Sequence, residues 1–252
     1  MQSSFQTWKP AYSFKPAILH KPDNKWIQEA ENFVAKSHTE LLNTPEKLKY
    51  LHDRGIPLSI IIKYKLGLSN SCQFIERSVW GLREELNQKG QLKKLFIPQG
   101  IVMPSIDKLG QILRLKIRRL DWQPNDKIPK YIAVSGSMNG LNILEGFKDV
   151  LIVVESELDA YLIYSIVSDL ATIISVGGNI KNPDNVVDRL AKNSKKLLIN
   201  HDNDNGGKAM LSKWQKLYSH AISCPIPVGK DISEALSMGF DVKSWLMKIV
   251  CN

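Results

Sequence analysis

Two apolar runs in the C-terminal half of the chain each lead to a carboxylate. Residues 150–154 are followed directly by Glu155, and residues 197–199 lead through two polar residues to Asp202. Short continuous apolar runs are typical of strands buried on both faces of a parallel sheet. A helical pattern follows each run, which predicts alternating strands and crossover helices. We expect strands at 150–155, 171–176, 195–201 and 222–226, and helices at 157–168, 183–193, 206–220, 231–238 and 241–250.

The N-terminal half carries a different pattern. Apolar residues at helical spacing, preceded by capping residues, predict helices at 25–42, 45–54 and 57–64. Short apolar runs separated by turn residues predict a β-rich segment at 95–143. Prolines throughout residues 1–24 exclude a helix there and indicate an extended or disordered arm. The aromatic residues of this arm could stack on single-stranded bases or pack on the body of the protein, and both alternatives stay open.

One predicted strand alternates apolar and basic residues. Between residues 112 and 118, period two places Arg114, Lys116 and Arg118 on one face and apolar side chains on the other. Such a face is either simply solvated or binds the phosphates of a nucleic acid. The pattern alone does not decide between these two interpretations.

The acidic residues predict a metal site. Because the carboxyl ends of parallel strands share one edge of the sheet, we expect Glu155, Asp202 and Asp204 to meet there. Crowded carboxylates resist ionising unless a cation lies among them, and an all-oxygen site of this kind suits Mg²⁺. An EF-hand loop is excluded, because Gly206 and Lys213 stand where calcium ligands are needed. A turn that caps the next helix is the alternative for the two aspartates, but it does not explain Glu155.

Composition narrows the class of protein. The chain has 252 residues, a net charge of +9 and three isolated cysteines. This charge favours a polyanionic partner such as nucleic acid, and the cysteine spacing predicts neither a disulfide framework nor a zinc site. No apolar run approaches the ~18 residues of a membrane helix, and the N-terminus lacks a signal pattern. We therefore expect a cytoplasmic protein with no membrane partner.

The acidic motifs resemble those of a known family. Glu155-x-Glu157-x-Asp159, followed by Asp202-x-Asp204-x-x-Gly207, is similar to the Toprim domain of bacterial primases, topoisomerases and related nucleases. Upstream, the stretch Tyr50-Leu51-His52-Asp53-Arg54-Gly55 resembles the catalytic core of DnaG-type primases, which favours primase among these. The resemblance implies an α/β fold, which is α+β when the whole chain is considered. We expect an N-terminal primase-core subdomain of mixed helices and strands, followed by a Toprim domain whose mainly parallel sheet is flanked by helices.

The resemblance also assigns roles to residues of this chain. It implies that Glu155, Asp202 and Asp204 form the catalytic site, with Glu155 as the catalytic carboxylate. The same three residues are the implied Mg²⁺ (or Mn²⁺) ligands, with Asp159 and Asp231 as further metal contacts. The second Asp of the family's late acidic element is Ser233 here, which weakens a third metal position. For nucleic-acid or nucleotide contacts, the resemblance implies Arg54, Arg118 and Lys130. The basic face of residues 112–118 adds Arg114 and Lys116, and Lys230 beside Asp231 is a further candidate.

The predicted organisation has four parts: an arm (1–24), the primase-core N-terminal subdomain (25–147), the Toprim domain (148–228), and C-terminal helices packed on it (229–252). Cellular primases also carry a zinc-binding module and a helicase-binding module, and no segment of this sequence resembles either. We therefore expect a catalytic core encoded by a phage or mobile element, which depends on a partner protein.

We expect metal-dependent primer synthesis. The expected partners are a single-stranded DNA template, nucleoside triphosphates, and a replicative helicase or separate template-binding subunit. Two alternatives remain: a non-catalytic nucleic-acid-binding accessory subunit with a vestigial Toprim site, and a Toprim nuclease.

Overall fold

The computed structural model describes residues 14–147, 149–177 and 182–251. Its contacts divide the chain into two compact units, residues 19–143 and residues 144–251 together with 14–18. The four predicted domains, with their boundaries at 24, 147 and 228, stay a prediction. Among the described residues, no helix is both long enough and apolar enough to cross a membrane.

The first unit begins with three helices. The Asp23 side chain accepts a hydrogen bond from Lys25 N and caps the first helix, while proline occupies the first position of the second. The second helix ends just before Gly55, whose φ of 76° lies in the left-handed region that glycine tolerates. The three helices are α1 (Asn24–Leu42), α2 (Pro45–Asp53) and α3 (Leu58–Lys63).

Six strands and a short 3₁₀ helix, Arg77–Trp80, complete this unit. The strands are β1 (Gly67–Ser69), β2 (Gln73–Glu76), β3 (Lys94–Ile97), β4 (Gly100–Ile106), β5 (Ile112–Arg118) and β6 (Tyr131–Ala133). Strands β2 and β3 form an antiparallel hairpin, and the other four form an antiparallel sheet in the order β1-β4-β5-β6.

The apolar face of α1 packs on this sheet and forms the core of the first unit. Trp26, Ala30 and Val34 are buried in it with Leu115 and Ile117 of β5. Strand β1 fits under α1 because it begins with glycine: a Cβ at Gly67 would lie 2.7 Å from the Ser37 Cβ.

The second unit has the predicted β-α-β alternation. The strands of its sheet are β7 (Asn142–Leu144), which begins two residues before the boundary between the units, β8 (Val150–Val154), β9 (Thr172–Ser175), β10 (Lys196–Ile199) and β11 (Ala221–Ser223). Its helices are α4 (Glu157–Val167), α5 (Asn185–Asn193), α6 (Asn205–Leu217), α7 (Ile232–Ser237) and α8 (Val242–Cys251). The sheet order is β11-β10-β8-β9-β7, and the first four strands are parallel.

The described end of the N-terminal arm lies against the second unit. The Phe14 ring meets the Tyr218 ring edge to face, with their centroids 6.4 Å apart. Ala17 forms a parallel bridge with Asp184, and Asn185 N donates to Ala17 O at 3.1 Å. Phe14 thus packs on the body of the protein. Trp8 and Tyr12, the other aromatic residues of the arm, lie outside the described residues.

Candidate functional site

The topology of the second unit brings the two acidic motifs together. Strands β8 and β10 are parallel neighbours, so Glu155 after β8 and Asp202 after β10 lie at the same edge of the sheet. Asn200 N donates to Val153 O at 2.9 Å, which continues the pairing beyond the strands. Asp202 N then donates to Glu155 Oε1 at 3.2 Å. Two motifs that are 47 residues apart in sequence therefore share a direct hydrogen bond.

Asp204 combines a structural and an electrostatic role. Its Oδ1 caps α6 by accepting from Gly207 N at 2.9 Å, so the predicted capping turn exists beside Glu155. A Cβ at Gly207 would lie 2.0 Å from Asp202 O, so only glycine fits there.

The carboxylates at this edge repel one another. Burial raises the pKa of Asp202 to about 8, and repulsion from four neighbouring carboxylates adds to the rise. In decreasing order of effect, these neighbours are Glu155, Asp159, Asp231 and Asp204. Burial likewise raises the pKa of Glu155, although its hydrogen bond from Asp202 opposes the shift. All five predicted metal contacts therefore interact within one cluster.

Lys230 supplies positive charge to this cluster. Its Nζ lies 3.0 Å from Asp204 Oδ2. The Gly207 N–H and then Lys230 lower the pKa of Asp204, while the hydrogen bond to Asp204 raises the pKa of Lys230. A lysine expected to contact nucleotide is thus paired with an aspartate expected to bind metal.

Asp159 and Asp231 have additional local partners. The hydroxyls of Ser156 and Ser233 donate to the two carboxylate oxygens of Asp159, at 2.6 Å and 3.1 Å respectively. Asp231 caps α7 by accepting from Glu234 N at 2.8 Å. Ser233 therefore ties α7 to the start of α4.

His201 anchors the backbone beside this cluster, a role that its position in the sequence did not reveal. It is 7% exposed, and its Nδ1 lies 3.0 Å from Asp202 O. Because a carbonyl oxygen only accepts, Nδ1 donates to it, and Nε2 is hydrogen-bonded to the Ser223 hydroxyl at 3.1 Å. The ring thereby connects the Asp202 backbone to β11.

The chemistry of these donors fits a hard divalent cation. The cluster offers carboxylate oxygens, and a cation among them would relieve the repulsion that raises the Asp202 pKa. Within residues 14–147, 149–177 and 182–251, no three His, Cys, Asp or Glu side chains are already arranged to hold a metal ion. A cation that keeps several waters and takes further oxygens from phosphates matches this incomplete set of protein ligands.

The first unit holds a second set of charged residues, in which cations lie over aromatic rings. The guanidinium carbons of Arg118 and Arg54 lie 5.2 Å and 5.9 Å from the Tyr50 ring centroid. Lys116 Nζ lies 5.1 Å from the Tyr131 ring centroid. Lys130 Nζ lies 5.4 Å from the Trp122 ring centroid. Four of the predicted basic contacts therefore make cation–π interactions.

The solvated-face interpretation of β5 is wrong for two of its three cations. Arg114 is 2% exposed and Lys116 is 4% exposed. Period two correctly groups them on one face, but it does not tell whether that face meets solvent or other parts of the protein. Arg118 is partly exposed, and its buried Nε has no hydrogen-bond partner among the described residues.

The aromatic partners were missed as site residues. Tyr50 lies within the stretch that carries the primase resemblance, four residues before Arg54, and Tyr131 directly follows Lys130. Trp122 lies in the loop between β5 and β6 and has no such motif. Only the alternation of aromatic and basic residues in these stretches could have indicated them.

Comparisons with known proteins agree with both halves of this description. Residues 143–236 match a family model described as Toprim-like. The fold is similar to that of the Aquifex aeolicus primase zinc-binding and RNA polymerase domains, with a TM-score of 0.67 and 23% identity. That match covers 91% of this chain and 61% of the Aquifex chain, so this chain spans less than two thirds of that relative. A search of the curated proteins found no match.

Two other solved structures contain DNA. One is the RNA polymerase domain of Mycobacterium tuberculosis primase DnaG with a double-stranded oligomer that has a 6-nucleotide overhang. It has a TM-score of 0.62 and 16% identity, covering 92% of this chain and 81% of that one. The other is a DnaG primase catalytic domain bound to single-stranded DNA, with a TM-score of 0.63, 15% identity, and coverage of 89% and 81%. The predicted fold class and the resemblance to primase cores are confirmed.

Proposed function

From the primase-core fold and its Toprim-like segment, we propose that this protein is a DNA primase-like nucleotidyltransferase, which synthesises primers on single-stranded DNA. The main supporting observation is the hydrogen bond from Asp202 N to Glu155, which joins the two acidic motifs at one sheet edge. Ligands of open α/β proteins bind at this edge. The proposed activity therefore rests on a site as well as on a fold.

Glu155, Asp202 and Asp204 are the proposed catalytic carboxylates. With Asp159 and Asp231 they would hold Mg²⁺ or Mn²⁺, which when bound would lower the barrier to attack by a primer 3′-hydroxyl and stabilise the leaving pyrophosphate. Burial raises the pKa of Glu155, which makes it a stronger proton acceptor than an exposed glutamate. Lys230, which is paired with Asp204 in the structure, would donate hydrogen bonds to the triphosphate.

The basic residues of the first unit are the proposed template and nucleotide contacts. Arg118 and Arg54 keep their guanidinium groups at the Tyr50 ring, and Lys116 and Lys130 lie over other rings. Arg114 is buried on the same strand face as Lys116. A ring stabilises a cation without neutralising its charge, so the partly exposed Arg54, Arg118 and Lys130 keep their attraction for phosphate.

The proposed partners follow from this activity. They are a single-stranded DNA template, nucleoside triphosphates, and a replicative helicase or separate subunit that presents the template. The solved DnaG structures with DNA are consistent with a DNA partner. We also propose that the protein is encoded by a phage or mobile element and that it acts in the cytoplasm.

One observation favours a second candidate function. Since no three of the described acidic, cysteine or histidine side chains are arranged for a metal ion, a non-catalytic accessory subunit that binds nucleic acid also fits the structure. In that case the carboxylates would keep only their roles as helix caps and loop anchors.

A primer-synthesis assay separates the two candidates. The full chain is incubated with single-stranded DNA, Mg²⁺ or Mn²⁺, and labelled ribo- or deoxynucleotides, with and without a short pre-annealed primer that bypasses initiation. The proposal predicts metal-dependent extension. If no extension occurs with or without the primer, even after a helicase or template-binding subunit from the same locus is added, the accessory function replaces the primase proposal.

A further inference from the structure

The loop between β5 and β6, residues 119–130, is held together by one arginine. Arg119 donates hydrogen bonds to both carboxylate oxygens of Asp121, from Nε at 3.1 Å and from Nη2 at 3.0 Å. Nη2 also donates to Asp126 Oδ2 at 3.1 Å, and Nη1 donates to Ile128 O at 2.9 Å. A single guanidinium therefore fixes three separate points along the loop.

Backbone contacts close the base of the loop. Arg119 N donates to Lys130 O at 2.9 Å, which joins the two ends of the loop. On the opposite side, a Cβ at Gly100 would lie 2.1 Å from Arg118 O, so β4 approaches the start of the loop as closely as glycine allows. The Arg119 side chain is only 11% exposed, which favours these hydrogen bonds over competition from water.

This bracing supports a segment that is otherwise open to solvent. Residues 123–129 are all exposed, and Ile128 is 45% exposed. Such a segment buries too little apolar surface to be ordered by packing, so the arginine fork supplies the order. The fork therefore fixes the position of two half-buried residues of the loop, Trp122 and Lys130.

Trp122 and Lys130 form a mixed aromatic and cationic surface. Lys130 Nζ lies 5.4 Å from the Trp122 ring centroid, and Lys127 is exposed nearby in sequence. Single-stranded nucleic acid is recognised by this combination, because each base stacks on an aromatic ring while lysines meet its phosphates. The net charge of +9 favours this polyanion over an acidic protein segment, which would offer no flat bases to stack.

We propose that Trp122 is a stacking site for a nucleobase of single-stranded nucleic acid, with Lys130 on the adjacent phosphate and Arg119 as the positioning residue. The inference rests on the proposed function, in that it concerns how the template is held. A rigid ring at a fixed position binds with a smaller loss of entropy than a mobile one, which explains why the loop is braced.

Binding of the full chain to a fluorescent thymidine oligonucleotide tests the proposal, together with an abasic oligonucleotide of the same length. Trp122→Ala should weaken thymidine binding by about 5- to 150-fold, the range found for single base–aromatic stacks. Abasic binding should be unchanged, because its phosphates remain. Trp122→Phe should retain most of the affinity, and Trp245→Ala, a half-buried tryptophan of the second unit, should change neither affinity.

Arg119→Lys keeps the charge but loses the fork. It should weaken thymidine binding by a smaller factor than Trp122→Ala, and it should weaken abasic binding less than thymidine binding, because only the Lys130 phosphate contact is then disturbed. Thermal unfolding of each variant shows whether the fold is retained. Equal affinity of Trp122→Ala and wild type, or equal losses on both oligonucleotides, would overturn the proposal.

Failure of the stacking site is distinguishable from failure of the proposed function. If the wild type extends primers, and its oligonucleotide binding depends on Arg118 but not on Trp122, only the stacking site is overturned. A base-dependent loss in Trp122→Ala without any primer extension would support the stacking site and reject catalysis. Wild type that binds neither oligonucleotide would overturn both.

Discussion

The sheet edge of the second unit carries negative charge and strand β5 of the first unit carries positive charge. The two regions differ in what surrounds their charged groups. At the sheet edge, carboxylates lie close enough that burial and mutual repulsion raise the pKa of Asp202 to about 8. Along β5, Arg118 and Lys116 lie over aromatic rings that stabilise the cations in place. A cation would relieve the repulsion within the acidic cluster, whereas the basic side chains are already stabilised by aromatic rings of the protein.

The largest expected difference concerns metal binding. Mn²⁺ at about 100 times its Kd should stabilise the wild type by about 2.7 kcal/mol, since it binds the folded state. For a chain of this size that is a rise in Tm of roughly 5–10 °C. The Asp202→Asn/Asp204→Asn variant should lose this rise in a thermal unfolding scan, and Arg118→Ala should keep it. An equal rise in the double variant would place the metal elsewhere.

The second difference is in pH dependence. The folded-state pKa of Asp202, about 8, lies above its ordinary value of 3.8, so the folded protein holds an extra proton between about pH 4 and pH 8. The free energy of unfolding of the metal-free protein should therefore fall as pH rises through this window. Asp202→Asn should flatten the decline, as measured by urea unfolding from pH 5 to pH 8.

Asp204→Asn is the matched control for that measurement. Its own pKa is lowered, so its titration lies below this window, and Asp204 is the weakest of the four neighbours that raise the Asp202 pKa. Most of the decline should remain in this variant. A flat profile already in the wild type would contradict the repulsion between the carboxylates.

The smallest expected effect concerns the ring beneath the arginines. Tyr50→Leu should reduce the stability of the protein by about 1–2 kcal/mol, because it removes the ring that faces Arg54 and Arg118. Tyr50→Phe should be nearly neutral, since the buried Tyr50 hydroxyl has no hydrogen-bond partner among the described residues. Urea unfolding of both variants checks this. Equal losses in the two would assign the effect to the hydroxyl.

The two regions also differ in how far the sequence predicts them. The acidic edge was predictable because each strand is a continuous apolar run whose end marks the carboxylate, and parallel neighbours must share that edge. The contacts of Tyr50 with Arg118 were not, because α2 and β5 are brought together only by the fold. Alternation in β5 grouped Arg114 with Lys116, but their burial depends on what covers that face.

Short elements were also difficult to predict from the sequence. Strand β1 has only three residues, all buried, so neither alternation nor length indicated it. Its glycine is explained only by the close approach of α1. The bonds from Ser156 and Ser233 to Asp159 likewise join residues whose proximity depends on the packing of α7.

Catalysis at the acidic edge is tested most directly by extension of a pre-annealed primer by Glu155→Gln, beside wild type and Glu84→Gln. The substitution is nearly isosteric and removes one negative charge from a repelling cluster, so Tm without metal should not fall. Extension should drop by at least about 100-fold, the lower end for loss of an acid–base group. Oligonucleotide affinity should be unchanged, and Glu84→Gln, on the exposed β2–β3 hairpin, should match wild type. Metal-dependent extension by Glu155→Gln at the wild-type rate would contradict the account.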